Sequence, residues 1–224
     1  MKSLPILFIY FLLIPVEVIG APPTVAGSSI RAERTGENYR CLLQQAPPYD
    51  SLRGVLEAMY DSDQGVRQNF SSTDGEQSKR MQKVDSANQV QIGAILQQYG
   101  WLPKSKVGQK ASDAIFFVVQ HSNAALMKQY LPVLQELAQQ KEASSIAAAM
   151  MEDRLLMWEG KKQVYGTQGY GTLTRATFIW PIRDPAKVNQ LRKQAGFDQT
   201  LEEYAKQLNA TYDPNEKLPP AIKR

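Results

Sequence analysis

The 224-residue chain has one cysteine, one histidine and no strong excess of either charge, and each scarcity removes a class of protein. With Cys41 alone, an intramolecular disulfide cannot form, so the fold depends on its hydrophobic core. With His121 alone, a paired-histidine motif such as H-x-x-x-H cannot occur, and we predict no metal and no cofactor. The net charge of +4 comes from dispersed Lys and Arg residues without a basic stripe, so we predict no nucleic-acid partner.

Long apolar runs are also scarce, and the one that is present lies at the N-terminus. Residues 4–19 are almost uninterruptedly apolar, Lys2 precedes them, and Val18 and Gly20 supply the small residues of a cleavage site. This pattern is typical of a secretory signal peptide, residues 1–20. No later run approaches the roughly 20 residues that cross a bilayer. We therefore expect an exported protein, periplasmic or secreted, whose mature chain does not span a membrane.

The rest of the chain divides by composition into a leader, a domain and a tail. Residues 21–46 are rich in Pro, Gly and Ser and predict a flexible leader. Residues 47–212 carry periodic apolar residues and predict a single globular domain. Residues 213–224 contain several prolines and predict a loose tail.

Five helical segments are predicted between Ser51 and Glu159 from apolar residues that recur every three to four positions. In the first, Val55 falls on the predicted buried stripe, and Gly65 favours a break near 61–65. The second runs from about Lys79 to Tyr99.

Capping residues and a proline are the signals in the next three helical segments. Ser105 is predicted to cap the third helix, Pro132 to kink the fourth, and Ser144 to cap the fifth.

After Gly160 the apolar period changes to one typical of strands. Residues 162–167 and 172–180 predict a β-hairpin, with its turn at 169–171. Two short helices follow: Asp184 would cap the first, Gly196 would end it, and Thr200 with Glu203 forms a capping box for the second. The predicted fold class is α+β, mainly α, with one hairpin late in the chain.

Polar residues occupy the predicted buried stripes of four helices. These are Asp63 on the first, Asp85 with Asn88 on the second, His121 on the third and Asp153 on the fifth. A buried carboxylate without a partner costs several kcal/mol, so such residues must be paired, hydrogen-bonded or solvated in a pocket. We expect them to converge at one internal cleft.

The cleft hypothesis assigns a role to each polar residue of these segments. His121, Asp153 and Asp63 are candidate catalytic residues for acid–base chemistry. The candidate ligand-binding residues are Gln64, Arg67, Asp85, Asn88, Gln120, Arg154, Gln163, Tyr165, Thr167 and Gln168. The structural alternatives are a helix cap for any single aspartate, a hydrogen-bonded core or rim position for His121, and a structural ion pair for Asp153 and Arg154.

These residues are similar to those of a bacterial family known as a domain of unknown function, many of whose members are exported. The similarity covers roughly 50 to 205, and its most specific piece is the D-R…G-x-x-Q-x-Y-G-T-Q signature, from Asp153 to Gln168. The resemblance implies no activity. Three hypotheses follow: an exported protein that binds a small polar ligand such as a sugar or peptide, a hydrolase that uses His121 with an aspartate, or a cell-envelope interaction module without catalysis.

Overall fold

Eight helices and one β-hairpin make up the part of the chain that the computed structural model describes, residues 48–68, 74–172 and 175–219. The elements are α1 (Tyr49–Gly65), α2 (Gly75–Tyr99), α3 (Lys104–Val107), α4 (Gln109–Gln120), α5 (Ala124–Gln139), α6 (Ser145–Trp158), β1 (Gly169–Thr172), β2 (Arg175–Ile179), α7 (Val188–Ala195) and α8 (Leu201–Gln207). The fold is α+β and mainly α, as predicted. The predicted signal peptide, the leader and Cys41 lie outside the described residues.

The first helix is continuous, and its buried stripe differs from the prediction. No break occurs at 61–65, because α1 runs without interruption to Gly65. Val55 is 43% exposed, since Leu56, Met59 and Asp63 fill the buried stripe at helical spacing. Asp63 therefore lies inside the molecule on the same stripe as the core residues.

Local capping sets the start of the next helices. The Asp74 side chain accepts hydrogen bonds from two backbone N–H groups of the first turn, so α2 begins at Gly75, before the predicted start. Gly108, with a φ of 87°, separates α3 from α4. Ser105 therefore does not cap the long helix, and its backbone N–H instead bonds to the Glu142 carboxylate at 2.8 Å.

Three other predicted helix signals are confirmed. The Ser144 hydroxyl accepts a hydrogen bond from the third residue of α6, and Thr200 forms a reciprocal capping box with Glu203. Gly196 ends α7 in the left-handed conformation with a φ of 94°. The start of α7 was predicted too early: a turn at 185–187 follows Asp184, and the helix begins at Val188.

The hairpin is present, but its strands are shifted along the chain. Residues 169–171, predicted as the turn, belong to β1, which pairs antiparallel with β2 through Gly169–Ile179 and Tyr170–Phe178. Residues 162–167, predicted as a strand, belong to an irregular loop, 162–168, which is attached by a bridge between Gln163 and Ile182. The reason is a buried carboxylate that takes the backbone N–H groups of this loop, as described below.

Two hydrophobic clusters form the core. The larger is built from the helices of the first two thirds of the chain and includes Leu56, Ile115 and Met151. The smaller joins β2, α7 and α8 through Ile179, Leu201 and neighbouring residues. No helix in the described ranges is long and apolar enough to cross a membrane.

Candidate functional site

A hydrogen-bonded aspartate–histidine pair lies where α1 meets the end of α4. His121 is the C-cap residue of α4, and its Nδ1 lies 2.8 Å from Asp63 Oδ1. The His121 side chain is 9% exposed and that of Asp63 is 1% exposed. The second carboxylate oxygen of Asp63 accepts a hydrogen bond of 2.8 Å from the Gln64 amide. Because the ionised carboxylate only accepts, the hydrogen between the pair resides on Nδ1.

Arg67 provides the positive charge of this cluster. Its Nη1 lies 3.1 Å from Asp63 Oδ1 and donates to the Asp63 backbone carbonyl at 2.8 Å. Its Nη2 donates to Asp85 Oδ1 at 2.7 Å, which ties α2 to α1. The guanidinium thus bridges the buried Asp63 and the partly buried Asp85, as an internal ion network requires.

Burial determines how the pair titrates. Loss of solvent lowers the pKa of His121 to about 4, although the Asp63 carboxylate opposes this shift. Burial raises the pKa of Asp63, but His121, Arg67 and Gln64 outweigh it, and the net pKa is below its ordinary value. Burial also raises the pKa of Asp85, against the effect of Arg67. At neutral pH the pair is a neutral imidazole beside an ionised carboxylate.

A metal ion could draw on the same atoms. One ligand atom each from Asp63, Asp85 and His121 lies within 4.8 Å of the others. The Arg67 guanidinium, however, contacts both carboxylates and already supplies a cation at this position. A metal would have to displace Arg67, so the contacts fit an arginine-centred ion network better than a metal centre.

Other predicted residues surround this cluster. Asn88 and Ser62 exchange hydrogen bonds of 3.2 to 3.3 Å between α2 and α1. Burial lowers the pKa of Arg154 to about 10. Tyr204 opposes this shift, and the positive charge of Arg67 adds to it. The Gln120 side chain is 2% exposed, and neither its nitrogen nor its oxygen forms a hydrogen bond with any described residue.

Asp153 serves a different part of the molecule. Its carboxylate is fully buried and accepts hydrogen bonds from the backbone N–H groups of Val164, Tyr165 and Thr167 at 2.7 to 3.1 Å, and from the Thr167 hydroxyl at 3.0 Å. Burial raises its pKa to about 6, although these hydrogen bonds act in the opposite direction. The carboxylate bonded to His121 is therefore that of Asp63, while Asp153 organises the loop.

The amide side chains of Gln163 and Gln168 also hold the loop together. Gln163 is fully buried and donates to the carbonyls of Gln168 and Trp180 at 3.0 and 2.7 Å, while its oxygen accepts from the Gln168 N–H at 2.9 Å. The Gln168 side chain donates to the Thr167 hydroxyl at 2.9 Å. The side chains of Gln163, Thr167 and Gln168, all predicted to bind a ligand, thus form hydrogen bonds within the protein.

Gly166 is required by the path of the loop. Its φ is +72°, and a Cβ atom there would lie 2.5 Å from Leu201 Cδ1 and 3.1 Å from Ile182 Cδ1. Any larger residue would meet the smaller hydrophobic cluster while adopting an unfavourable backbone conformation. The loop therefore packs directly on α8.

Arg192 of α7 fixes the loop from the other side. Its side chain is almost fully buried, donates to the Tyr165 carbonyl at 2.9 Å and to the Gln199 carbonyl at 3.0 Å, and lies 4.5 Å from the centre of the Phe197 ring. The backbone of Tyr165 is thus bonded through its N–H to Asp153 and through its carbonyl to Arg192. The Tyr165 ring is consequently carried on a segment whose backbone is hydrogen-bonded on both sides.

Tyr165 lines a groove between α5, α6 and α7. The groove has a volume of about 440 Å³. Its polar lining consists of Gln135, Gln139, Ser145, Glu152, Tyr165 and Gln194. Four alanines and Leu191 form the apolar part. Gln135 donates to Glu152 across the groove at 3.4 Å, and burial raises the pKa of Glu152.

Comparison with known proteins assigns the chain to a family. The model of the family of unknown function DUF6624 matches residues 50–217, three quarters of the sequence. The chain belongs to DUF6624. No curated protein and no solved structure matches it. The matched range of this DUF6624 protein contains the ion network, the Asp153 loop and the groove.

The predicted single cleft is thus divided between separate places in the DUF6624 fold. Asp63, Gln64, Arg67, Asp85 and His121 come together as predicted. Of the predicted binding residues in the loop, Tyr165 lines the groove.

Most of the groove was not anticipated from the sequence. The other polar lining residues, Gln135, Gln139, Ser145, Glu152 and Gln194, were not predicted. Glu152 had one detectable signal, since it is a carboxylate within a helix otherwise rich in Ala, Met and Leu. The glutamines had none, because exposed glutamines are ordinary on helices.

Proposed function

We propose that this protein binds a small polar ligand, such as a sugar or a peptide, in the groove between α5, α6 and α7. The observation that carries the proposal is the Tyr165 ring at a groove of about 440 Å³, supported on a backbone bonded to Asp153 and Arg192. Ligand sites in proteins commonly occupy 300 to 1,000 Å³, so about 440 Å³ suits a small molecule.

The lining supports a polar ligand over an apolar one. Three glutamine amides and a serine hydroxyl offer both donors and acceptors, which suit hydroxyl and amide groups. The alanines leave room for a ligand to approach the helix surfaces, and an aromatic ring supplies a flat apolar face. Because the backbone of Tyr165 is already held by hydrogen bonds, binding requires less ordering of this segment.

The proposal is tested by recording the backbone amide spectrum of ¹⁵N-labelled protein during titration with neutral sugars and short peptides. We expect chemical-shift changes that concentrate at the groove, and at least a tenfold weaker affinity in Tyr165→Ala and Gln194→Ala. Gln190→Ala is the matched control, because Gln190 is exposed on the same helix and does not line the groove. Binding that Tyr165→Ala and Gln194→Ala leave intact would contradict the proposed site.

A second candidate function is hydrolysis, favoured by the 2.8 Å hydrogen bond between Asp63 and His121. In that reaction the neutral imidazole would accept a proton from water, Asp63 would hold the ring in one tautomer, and Arg154 and Arg67 would balance negative charge. Turnover of ester, phosphoester or glycoside substrates should fall at least a hundredfold in Asp63→Asn. Asp61→Asn, an exposed position on the same helix, should retain it. Equal rates in both variants would exclude this role for Asp63.

We also propose that the protein is exported, on the basis of the apolar segment at residues 4–19. Mass spectrometry of the protein recovered outside the cytoplasm should give a mature N-terminus near Ala21.

The interaction-module hypothesis gains little support in the described part of the chain. Its large exposed hydrophobic residues, Val55, Val90, Val133 and Leu218, lie on three different helices and the C-terminal segment.

A further inference from the structure

The groove carries one charged side chain among its lining residues, and that charge is negative. Glu152 projects from α6, one position before the buried Asp153, and its neighbours in the lining are amides, a hydroxyl, a phenol and apolar groups. An anionic ligand would therefore meet a carboxylate without a cation in the lining to offset it. A neutral ligand would leave the partly buried charge of Glu152 without an opposite charge in the groove.

Glu152 retains capacity for a ligand. Its Oε2 accepts a hydrogen bond from Gln135 at 3.4 Å, a long contact that uses one of about four acceptor positions of a carboxylate. Arg183, whose charge lowers the pKa of Glu152, is an exposed residue outside the groove lining. Because Arg183 is exposed, water screens its interaction with Glu152.

The Tyr165 ring lines the same groove as the Glu152 carboxylate. Burial raises the pKa of Tyr165, and the negative charge of Glu152 adds to that shift. A carboxylate and an aromatic ring in one groove can together recognise an organic cation, since the ring face and the anion attract the same charge. The side-chain oxygens of Ser145, Gln139 and Gln194 can accept the further N–H groups of a primary ammonium.

We propose that the ligand of this groove carries a primary ammonium group, bound between the Glu152 carboxylate and the Tyr165 ring. This inference rests on the proposed function and specifies its ligand class. Two kinds of small polar molecule present such a group: an amino sugar, and a short peptide through its free N-terminus.

The test compares ammonium compounds with their neutral counterparts at about pH 6.5, where a peptide α-amine of pKa 7.7 to 8.0 is protonated. The probes are glucosamine, N-acetylglucosamine and glucose in one arm, and alanyl-alanine amide and its N-acetyl form, neither of which has a free carboxylate, in the other. Affinity is measured from amide chemical shifts at the groove. We expect at least tenfold tighter binding of the ammonium form than of its neutral counterparts in one arm, and the arm in which this occurs identifies the source.

Glu152→Gln provides the decisive variant, because it keeps the side-chain shape and removes the charge. It should abolish the preference for the ammonium form, whereas Glu136→Gln, an exposed position on α5 outside the lining, should preserve it. Equal binding of charged and neutral probes, or a preference that survives in Glu152→Gln, overturns the ammonium assignment and leaves the groove as a neutral-ligand site. The absence of groove shifts with every probe overturns the proposed function as well.

Discussion

The titration of His121 offers a direct test of the buried ion network. Transfer of the imidazole from water to its site lowers its pKa from 6.5 to about 4. At about 1.4 kcal/mol per pKa unit, this shift corresponds to about 3 kcal/mol against protonation in the folded protein. His121 is the single histidine, so its ring signals in a ¹H–¹³C spectrum of tag-free protein need no assignment.

The variants separate the role of Asp63 from general charge effects. The carboxylate raises the pKa of His121 against the stronger effect of burial, so Asp63→Asn should move the midpoint below about 4. Asp61→Asn removes a carboxylate from the same helix, where Asp61 pairs with Lys110 on the surface, and should leave the midpoint unchanged. A wild-type midpoint near 6.5 would refute the burial argument, and an unchanged midpoint in Asp63→Asn would refute the pairing.

The same shift predicts how stability depends on pH. The unfolded chain binds a proton at His121 below about pH 6.5, whereas the folded chain binds it only below about 4. Stability from this group is fully present above pH 6.5 and is lost as the pH falls towards 4 and below, by up to about 3 kcal/mol. Urea denaturation at several pH values should show this loss in the wild type, and His121→Gln should lack the corresponding part of the slope.

Three further substitutions test the loop and the core. Gly166→Ala should lower the free energy of unfolding by about 2 to 4 kcal/mol, from backbone strain and overlap with Leu201. The control is Gly160→Ala, at a φ of +67° with open space around it, which should show backbone strain alone. Equal losses of stability in urea denaturation would contradict the close packing at Gly166. Asp153→Asn should lower stability by about 3 kcal/mol, because an NH₂ group would face backbone N–H donors. A melting temperature within 2 °C of wild type, which corresponds to roughly 1 kcal/mol or less, would exclude the role of Asp153 in holding the loop. Gln120→Met should raise stability by about 1 kcal/mol by removing a buried amide that bonds to no described residue, and destabilisation would show that the amide is engaged.

The sequence determined those features that depend on neighbours along the chain. The Ser144 cap, the Thr200–Glu203 capping box and the left-handed Gly196 each satisfy backbone groups within a few residues. The residue types along the chain are therefore sufficient to predict their positions. The inward position of Asp63 and Asp85 also followed from helical spacing, because a helix fixes which residues share a face.

The tertiary structure decided which of these polar residues meet. Periodicity put Asp63 and Asp153 on buried faces alike, but only the packing of α1 against α4 brings Asp63 to His121. Asp153, on α6, instead contacts the loop, where its carboxylate accepts hydrogen bonds from N–H groups that strand pairing would have used. The predicted strand at 162–167 was wrong for this reason, since β propensity does not take account of a hydrogen-bond acceptor on the preceding helix. The groove is likewise a product of three helices that contribute ordinary surface residues, and their chemistry emerges only when the fold brings Glu152 and Tyr165 into one groove.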